Sequence, residues 1–219
     1  MIRLHYSPTD ASMAPHIVLH ELGVPFELQL VDRSQNAQRS AEYLRLNPNG
    51  TIPVLVDGDM VMHETAATLL YLADRHPEAR LAPPPGTPER GPFYAQLFWL
   101  SNTLQASLMG YFYPQRYTDD AAPSAIEAVK RQSQRRVGAQ LDLLDAGIRA
   151  RGGPWLMGAE HTVADAFGLM LCRWTRNFDP IIAAPARDLP ALRPWLERVL
   201  ARPSVQRVYA DEKIPEPWF

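Results

Sequence analysis

A proline-rich segment divides the sequence into two parts with different hydrophobic patterns. Five prolines lie within residues 83–92, and closely spaced prolines favour the extended, stiff backbone of a linker. Before this segment, short apolar runs typical of strands alternate with helical periodicity, whereas after it only helical periodicity is present. We therefore predict an α/β domain over residues 1–77, a linker over 78–87 and an all-helical domain over 88–219.

The part before the linker predicts strands and helices in the order β-α-β-α-β-β-α, which is typical of a small α/β domain. The predicted elements are Ile2–Tyr6, Met13–Leu22, Pro25–Val31, Ala37–Leu46, Pro53–Val56, Met60–Met62 and Glu64–Arg75. Gly23 is placed to end the first helix, because glycine adopts the left-handed backbone that closes helices. Asp57-Gly58 is a strong signal for a hairpin between the last two strands.

The part after the linker predicts helices alone. They are expected over Gly91–Tyr117, Ser124–Ala150, Val163–Thr175, Ala191–Ala201 and Val205–Tyr209. Thr162 and Asp165 have the spacing of a capping box, in which each side chain bonds the other residue's backbone at a helix start. We assign this pair to folding and not to catalysis.

Charge and composition exclude several classes of partner. The net charge is −2 and the isoelectric point about 6.3, so neither nucleic acid nor an anionic membrane is an expected partner. No run approaches the roughly 18 apolar residues of a membrane span, and the first residues carry no apolar leader. With a single cysteine, Cys172, the chain cannot form an internal disulfide. We expect a cytoplasmic protein.

The sequence offers no pattern typical of a metal site. His16 and His20 are an isolated pair with one-turn helical spacing, and we expect them on the surface without a metal ion. Cys172 follows Leu169, Met170 and Leu171 in an apolar helical run, which indicates a buried structural thiol.

Two segments of the first domain have the features of a ligand site. Pro53 opens a strand, where it removes a ladder donor; a cis Ile52–Pro53 bond instead turns the Ile52 backbone outward to pair with an extended ligand. Glu64 and Thr65 stand at a helix start, whose free amides attract a carboxylate, while the Glu64 carboxylate can hold an ammonium group. The alternative is an edge-strand proline beside an ordinary helix cap.

Five stretches in order resemble one known family. They are Tyr6–Ile17, Asn47–Leu55, Glu64-Thr65, Trp155–Phe167 and Ala201–Val205. Over nearly its full length the chain resembles the cytosolic glutathione transferases, and especially their bacterial beta class. The resemblance implies a thioredoxin-like N-terminal domain, an all-α C-terminal domain and a cytoplasmic homodimer with a role in detoxification.

The resemblance also implies the reaction and the ligand contacts. Glutathione is the cosubstrate, and its thiolate is conjugated to a hydrophobic electrophile without a metal ion; peroxidase or isomerase side activity is also consistent with it. The residues implied in glutathione binding are Ile52, Pro53, Glu64, Thr65 and Gln35. The charges of Glu64 and the helix start then match the γ-glutamyl end of glutathione, which carries both charges on one carbon.

Three positions depart from the beta-class pattern. Ala11 replaces the cysteine, Leu108 the fourth-helix histidine and Gln35 a lysine that reaches glutathione, so the mixed disulfide of that class cannot form. Ser12 then corresponds to the serine of serine-type transferases. Its hydroxyl is predicted to stabilise the thiolate and lower the thiol pKa from ~8.5 toward ~7. Tyr6 is the second catalytic candidate.

Other assignments stay open at this stage. Ser7 and Thr9 are further candidates for the donor to the thiolate, and Ser12 as a helix cap alone is the structural alternative. Met13, Leu108, Phe112 and Trp174 are candidates for the electrophile pocket, although such apolar stripes are more often core. The alternative function is a glutathione-transferase-like binding or regulatory protein without turnover.

Overall fold

The computed structural model describes residues 1–216, 218 and 219, and these form two compact units. The first comprises Met1–Arg90 with Leu200–Pro215, and the second Gly91–Val199 with Glu216–Phe219. The predicted domain boundaries at residues 77 and 88 stay a prediction. The units differ from them in that Leu200–Pro215, expected in the helical domain, belongs to the N-terminal unit.

The first unit is built on a mixed four-stranded sheet with the order β2-β1-β3-β4. The strands are β1 Ile2–Tyr6, β2 Phe26–Leu30, β3 Val54–Asp57 and β4 Met60–His63. β1 runs parallel to β2 and antiparallel to β3, and β3 and β4 form the hairpin expected around Asp57-Gly58. The predicted succession of strands and helices is confirmed.

Helices complete both units. In chain order they are α1 Met13–Leu22, α2 Ala41–Leu46, α3 Thr65–Arg75, α4 Arg90–Trp99, α5 Ala106–Phe112, α6 Pro123–Arg151, α7 Val163–Trp174, α8 Leu192–Leu200 and α9 Pro203–Asp211. In the described part of the chain, no helix combines the length and the apolar character that crossing a membrane requires.

The helix predicted over residues 37–46 is shorter in the structure. Two 3₁₀ turns, Arg33–Gln35 and Ala37–Arg39, precede α2. Ser40 separates them from α2 because its backbone is extended and its side-chain oxygen accepts the Tyr43 amide at 3.2 Å. A serine in this role starts a new helix and does not continue the old one.

The long helix predicted over residues 91–117 is also interrupted. A π-helical segment, Leu100–Gln105, separates α4 from α5, and α5 ends at Phe112. Pro114 explains the early end, since the residue before a proline disfavours helical backbone. π-Helical turns are frequent at functional sites, although here the segment itself contributes two buried leucines to the second unit, Leu100 and Leu104.

α9 belongs to the first unit because it is bound to α1 by charge. The Glu21 carboxylate receives two hydrogen bonds from Arg202, at 2.5 and 2.6 Å, and a third from Ser204. Glu21 is almost fully buried in this pair. Bidentate pairs of this kind are among the stronger polar contacts in proteins, so α9 is held against the N-terminal helix.

α7 is the central helix of the second unit, with every one of its residues buried. The predicted capping box at its start is confirmed: Thr162 Oγ1 accepts the Ala164 amide at 3.3 Å, and Asp165 Oδ2 accepts the Thr162 amide at 2.8 Å. Asp165 Oδ1 also accepts Leu156 N–H and Trp195 Nε1–H, each at 2.8 Å. The buried carboxylate therefore joins the preceding loop, α7 and α8.

Candidate functional site

The loop before β3 contains the predicted cis Ile52–Pro53 bond, which is confirmed. Its shape is held by two side chains upstream, since Tyr43 Oη and Asn47 Nδ2 both donate to the Thr51 carbonyl at 2.8 Å. Asn47 also donates to Thr51 Oγ1 at 2.9 Å and is itself fully buried. The backbone that enters the proline is thereby fixed in one position.

Gly50 is required in this loop for two reasons. Its φ is +61°, and a Cβ at this position would lie 2.9 Å from the Gln38 carbonyl and 2.7 Å from an Arg39 nitrogen. A side chain would meet backbone at that distance, and the positive φ favours glycine. The glycine therefore allows the Asn47–Pro53 loop to pack against the preceding 3₁₀ turns.

The backbone of Ile52 is the open part of this loop. Within the described chain, neither its N–H nor its C=O hydrogen-bonds another backbone group. The Ile52 residue is half-buried and Pro53 is buried. A loop residue with a free backbone donor and a free acceptor can pair with an added extended strand.

The start of α3 lies beside this loop and carries a strained residue. Glu64 has φ +75° and ψ 116°, and its side chain makes no capping bond to α3. That side chain is 65% exposed. Non-glycine residues in such backbone conformations cost about 1–3 kcal/mol and concentrate at functional sites. The first amides of α3 are thus uncapped, next to a solvent-facing carboxylate.

Thr65 connects the starts of two helices. Its hydroxyl, which is buried, donates to the Ala11 carbonyl at 3.3 Å. Ala11 stands in the turn that leads into α1, so the helix starts of α1 and α3 lie side by side. Of the predicted glutathione contacts, Ile52, Pro53, Glu64 and Thr65 therefore belong to connected segments of one unit.

The Ser12 hydroxyl is engaged within the protein. It donates to the Ser7 carbonyl at 3.0 Å and accepts the Ser7 amide at 3.1 Å, and Ser12 has no exposed surface. A hydroxyl has only one proton to donate, so in this conformation none remains for a thiolate. Ser12 also makes no capping bond to α1. The predicted role of its hydroxyl stays a prediction that this geometry does not favour.

The backbone at the start of α1 is less occupied than the side chain. No described hydrogen bond is made by the Ser12 amide or by the Ala14 amide, and Pro15 has none to donate. The Met13 amide, by contrast, bonds the Asp10 carbonyl at 3.0 Å. Free first-turn amides and the positive end of the helix dipole attract an anion.

The other candidate donors have separate surroundings. The Tyr6 ring lies 6.1 Å from the His16 ring, and burial, with the negative charges of Glu212 and Asp211, raises the pKa of the Tyr6 hydroxyl. Thr9 has φ +63°, and its amide donates to Glu212 Oε2 at 2.8 Å. The phenol of Tyr6 therefore stays protonated at neutral pH, on the side of the sheet that faces α1.

The remaining predicted site residues differ in exposure. Gln35 is exposed in its 3₁₀ turn. Phe112 is 42% exposed and packs edge-to-face on Trp174, with ring centroids 6.0 Å apart. Leu108 and Met13 have no exposed surface. In this structure neither of these two side chains presents a surface to a ligand, and the electrophile pocket stays a prediction.

The expectation that His16 and His20 form a surface pair is wrong. His16 has no exposed surface, and its Nδ1 lies 2.9 Å from Glu212 Oε1. The sequence could not show this contact, because the partner lies 196 residues away on the chain. Cys172 is buried as expected, and burial raises the pKa of its thiol.

Comparison with known proteins decides the family. Residues 11–75 match the glutathione S-transferase N-terminal domain, and residues 100–203 match the glutathione S-transferase C-terminal domain. A protein of Zea mays named Glutathione S-transferase 3 is 32% identical over 91% of this chain and 89% of its own length. The chain belongs to the glutathione S-transferase family.

Solved glutathione S-transferases share the whole fold. A glutathione transferase from Methylococcus capsulatus str. Bath is 33% identical with a TM-score of 0.82, covering 98% of this chain and all of its own (100%). A sphingomonad glutathione S-transferase in complex with glutathione is 28% identical with a TM-score of 0.79, over 97% and 100%. The predicted architecture, thioredoxin-like domain followed by helical domain, is that of this family. Closeness to its beta class stays a prediction.

The residues that sequence reasoning missed act on the loop rather than on a ligand. Tyr43 was predicted only as part of a helix and Asn47 as part of a segment similar to the family, yet both donate to the Thr51 carbonyl. The available signal was the tetrad Asn47-Pro48-Asn49-Gly50, since asparagine side chains often bond backbone a few residues on. Its acceptor could not be read from that pattern.

Proposed function

We propose that this glutathione S-transferase holds glutathione along its first unit and transfers the glutathione thiolate to a hydrophobic electrophile. The observation that carries the proposal is the row of unpaired backbone groups in connected segments: the amides at the starts of α1 and α3 and the free Ile52 backbone. Glutathione is an extended tripeptide with charged ends and a thiol between them, and it matches such a row.

The γ-glutamyl end is assigned to the start of α3. Its carboxylate accepts hydrogen bonds from the first backbone amides of α3, starting with that of Thr65, where the helix dipole favours negative charge. Its ammonium pairs with the exposed Glu64 carboxylate. The cysteinyl backbone pairs with Ile52 as an added strand beside Pro53, and exposed Gln35 is assigned to the far end of the peptide.

The thiolate is assigned to the start of α1. Because the Ser12 hydroxyl donates to Ser7, we assign thiolate stabilisation to the Ser12 backbone amide and the positive end of α1. The hydroxyl then keeps the Ser7–Ser12 turn in the shape that exposes this amide. Hydrogen bonds to a charged acceptor contribute about 1.5–3 kcal/mol, which lowers the thiol pKa by about one to two units.

The chemistry needs no further group on the protein. The thiol loses its proton to water, and the thiolate sulfur forms a bond to the electrophilic carbon of the second substrate. The electron pair of the broken bond leaves with the leaving group or, in an addition, is taken up with a proton from water. The second substrate is assigned to apolar side chains of the second unit, where Phe112 is exposed and packs on the buried Trp174. Such apolar walls discriminate weakly, consistent with the proposed peroxidase or isomerase side activity.

The assembly and setting are part of the same proposal. We propose a cytoplasmic homodimer with a role in detoxification. Light scattering on the purified chain measures its mass in solution; twice the 24.7 kDa of one chain is expected.

The deciding experiment measures binding and turnover separately. Calorimetry gives glutathione affinity, and absorbance follows conjugation to an activated aryl halide. Saturable glutathione binding with turnover above the uncatalysed reaction supports the proposal. Saturable binding without turnover across aryl halides, enones and hydroperoxides establishes the alternative, a binding or regulatory protein, and absence of saturable binding overturns both.

A further inference from the structure

Three potential metal ligands converge where α1 meets α9. His16 and His20 lie one turn apart on α1, and Asp211 ends α9. One ligand atom from each of these residues lies within 4.8 Å of the other two. All three residues belong to the first unit.

His16 is oriented as histidine ligands usually are. Its Nδ1 lies 2.9 Å from Glu212 Oε1, and both side chains have no exposed surface. With Nδ1 donating to this carboxylate, the lone pair of a neutral imidazole resides on Nε2. His16 Nε2 is buried and has no hydrogen-bond partner in the described chain. A carboxylate behind a histidine raises its basicity and fixes its ring, as in carboxylate–histidine–zinc sites.

A buried nitrogen lone pair without a partner needs an explanation. Nearly all buried polar atoms in folded proteins are hydrogen-bonded, and leaving one unpaired costs about 1–3 kcal/mol. His20 Nε2 is likewise buried without a hydrogen bond. Two imidazole nitrogens without a hydrogen bond on one helix face, with the Asp211 carboxylate nearby, form a donor set that suits a cation.

The other two ligands provide access from solvent. His20 Nε2 lies 3.6 Å from Asp211 Oδ2, and these side chains are 24% and 29% exposed. Solvent can therefore reach the cluster from the side of His20 and Asp211, and the neutral ring is the form of histidine that binds a metal ion.

The charges around the cluster are nearly balanced. Glu212 and Asp211 are negative, and Arg207 Nε lies 2.9 Å from Asp211 Oδ2. The Arg207 side chain is two-thirds exposed, so it can turn to solvent when a cation takes its place. The Phe26 ring covers the histidines from β2, with centroids 5.8 Å from His16 and 5.0 Å from His20.

We propose that His16, His20 and Asp211 bind one zinc ion, with Glu212 orienting His16 and water as the fourth ligand. Zinc takes imidazole nitrogens and carboxylate oxygens at about 2.0–2.2 Å in tetrahedral sites, which sets neighbouring ligand atoms roughly 3.3–3.5 Å apart. The His20–Asp211 distance of 3.6 Å is close to this spacing, and all three ligand atoms lie within 4.8 Å of one another, so small shifts of the partly exposed His20 and Asp211 side chains complete the site. The ion joins α1 to α9 and is separate from the transfer chemistry.

The test measures zinc affinity on the full-length, chelator-treated protein, without glutathione because its thiol binds zinc. A chromophoric zinc indicator competes with the wild type and with His20→Ala, Asp211→Asn and His76→Ala. His76, which follows α3, is the matched control, since its side chain is 22% exposed, close to the 24% of His20, and lies 3.4 Å from a glutamate oxygen.

One zinc ion per wild-type chain is expected, with affinity at least tenfold weaker in His20→Ala and Asp211→Asn and unchanged in His76→Ala. Zinc should raise the Tm of the wild type and of His76→Ala but not of His20→Ala, because a ligand that binds only the folded state stabilises it. Wild-type affinity equal to that of His20→Ala overturns the proposal, as does an equal loss in His76→Ala. Both substituted ligands are partly exposed, and circular dichroism confirms that the variants fold.

Discussion

The starts of α7 and α1 carry the same kind of capping residue, but a side chain caps α7 and none caps α1. Thr162 and Asp165 form a capping box at α7, and the Asp165 carboxylate accepts hydrogen bonds from three buried N–H groups. Ser12 turns away from α1 and bonds Ser7, so the first amides of α1 stay unpaired. A closed helix start, in which side chains cap the first amides, stabilises the fold. An open start, in which those amides are uncapped, can bind an anion. The identity of the capping residue does not distinguish the two.

The largest effect is expected at the closed start. Asp165→Ala leaves the Leu156 and Thr162 amides and the Trp195 indole N–H without an acceptor, and each unsatisfied buried donor costs about 1–3 kcal/mol. We expect the free energy of unfolding to fall by about 3 kcal/mol or more, measured by urea denaturation. Asp142→Ala, at an exposed position of α6, is the control and should stay within about 0.5 kcal/mol of wild type. A small loss at Asp165 would show that the closed start is not structural.

The next effect concerns the open start of α3. Glu64→Gln removes the negative charge proposed to hold the glutathione ammonium and keeps the side chain's shape. Glutathione affinity should fall by about 1.5–3 kcal/mol, the contribution of a hydrogen bond to a charged group, measured by calorimetry. Glu42→Gln, an exposed glutamate in the first turn of α2, should bind glutathione as the wild type does. Unchanged affinity in Glu64→Gln would assign the γ-glutamyl group to another position.

Ser12→Ala tests the open start of α1 directly. Loss of the two Ser7 hydrogen bonds should lower the free energy of unfolding by about 1–2 kcal/mol. The pKa of bound glutathione, measured by thiolate absorbance against pH, should rise by less than about half a unit, because the amide and helix dipole remain.

Tyr6→Phe is the companion variant and should leave that pKa unchanged. A rise of about one to two units in Ser12→Ala would mean that the hydroxyl turns to the thiolate when glutathione binds, and the hydroxyl hypothesis would be right. A shift in Tyr6→Phe alone would pass the role to Tyr6.

The smallest effect is expected at the cap of α7 itself. Thr162→Ala removes the Oγ1 acceptor of the Ala164 amide and the 3.4 Å hydrogen bond from Oγ1 to Asp165 Oδ2, and it should cost about 1 kcal/mol. Thr118→Ala removes a similar acceptor, for Asp120 N–H at 3.1 Å, in a solvent-exposed turn, and should cost less. Urea unfolding of both variants compares the two positions; equal costs would mean that burial adds nothing to the α7 cap.

Features that depend on neighbouring residues could be predicted from the sequence. The order of strands and helices in the first unit, the Asp57-Gly58 hairpin, the cis Ile52–Pro53 bond and the Thr162/Asp165 box are all confirmed. In each case the deciding interactions lie within a few residues along the chain, so the local pattern contains them. The helix predicted over residues 37–46 was too long, because Ser40 caps a new helix that begins at Ala41.

Other features were decided by the tertiary structure alone. Leu200–Pro215 joins the first unit through Glu21 and Arg202, which are 181 residues apart. The same packing buries His16 beside Glu212 and creates the cluster with His20 and Asp211. The direction of the Ser12 hydroxyl likewise follows from how the Ser7 turn folds back. The sequence by itself determined which local structures form and to which family the chain is similar. Contacts between distant segments decided which polar atoms are hydrogen-bonded within the protein and which are left for a ligand. Only packing determines which partners come within hydrogen-bonding distance.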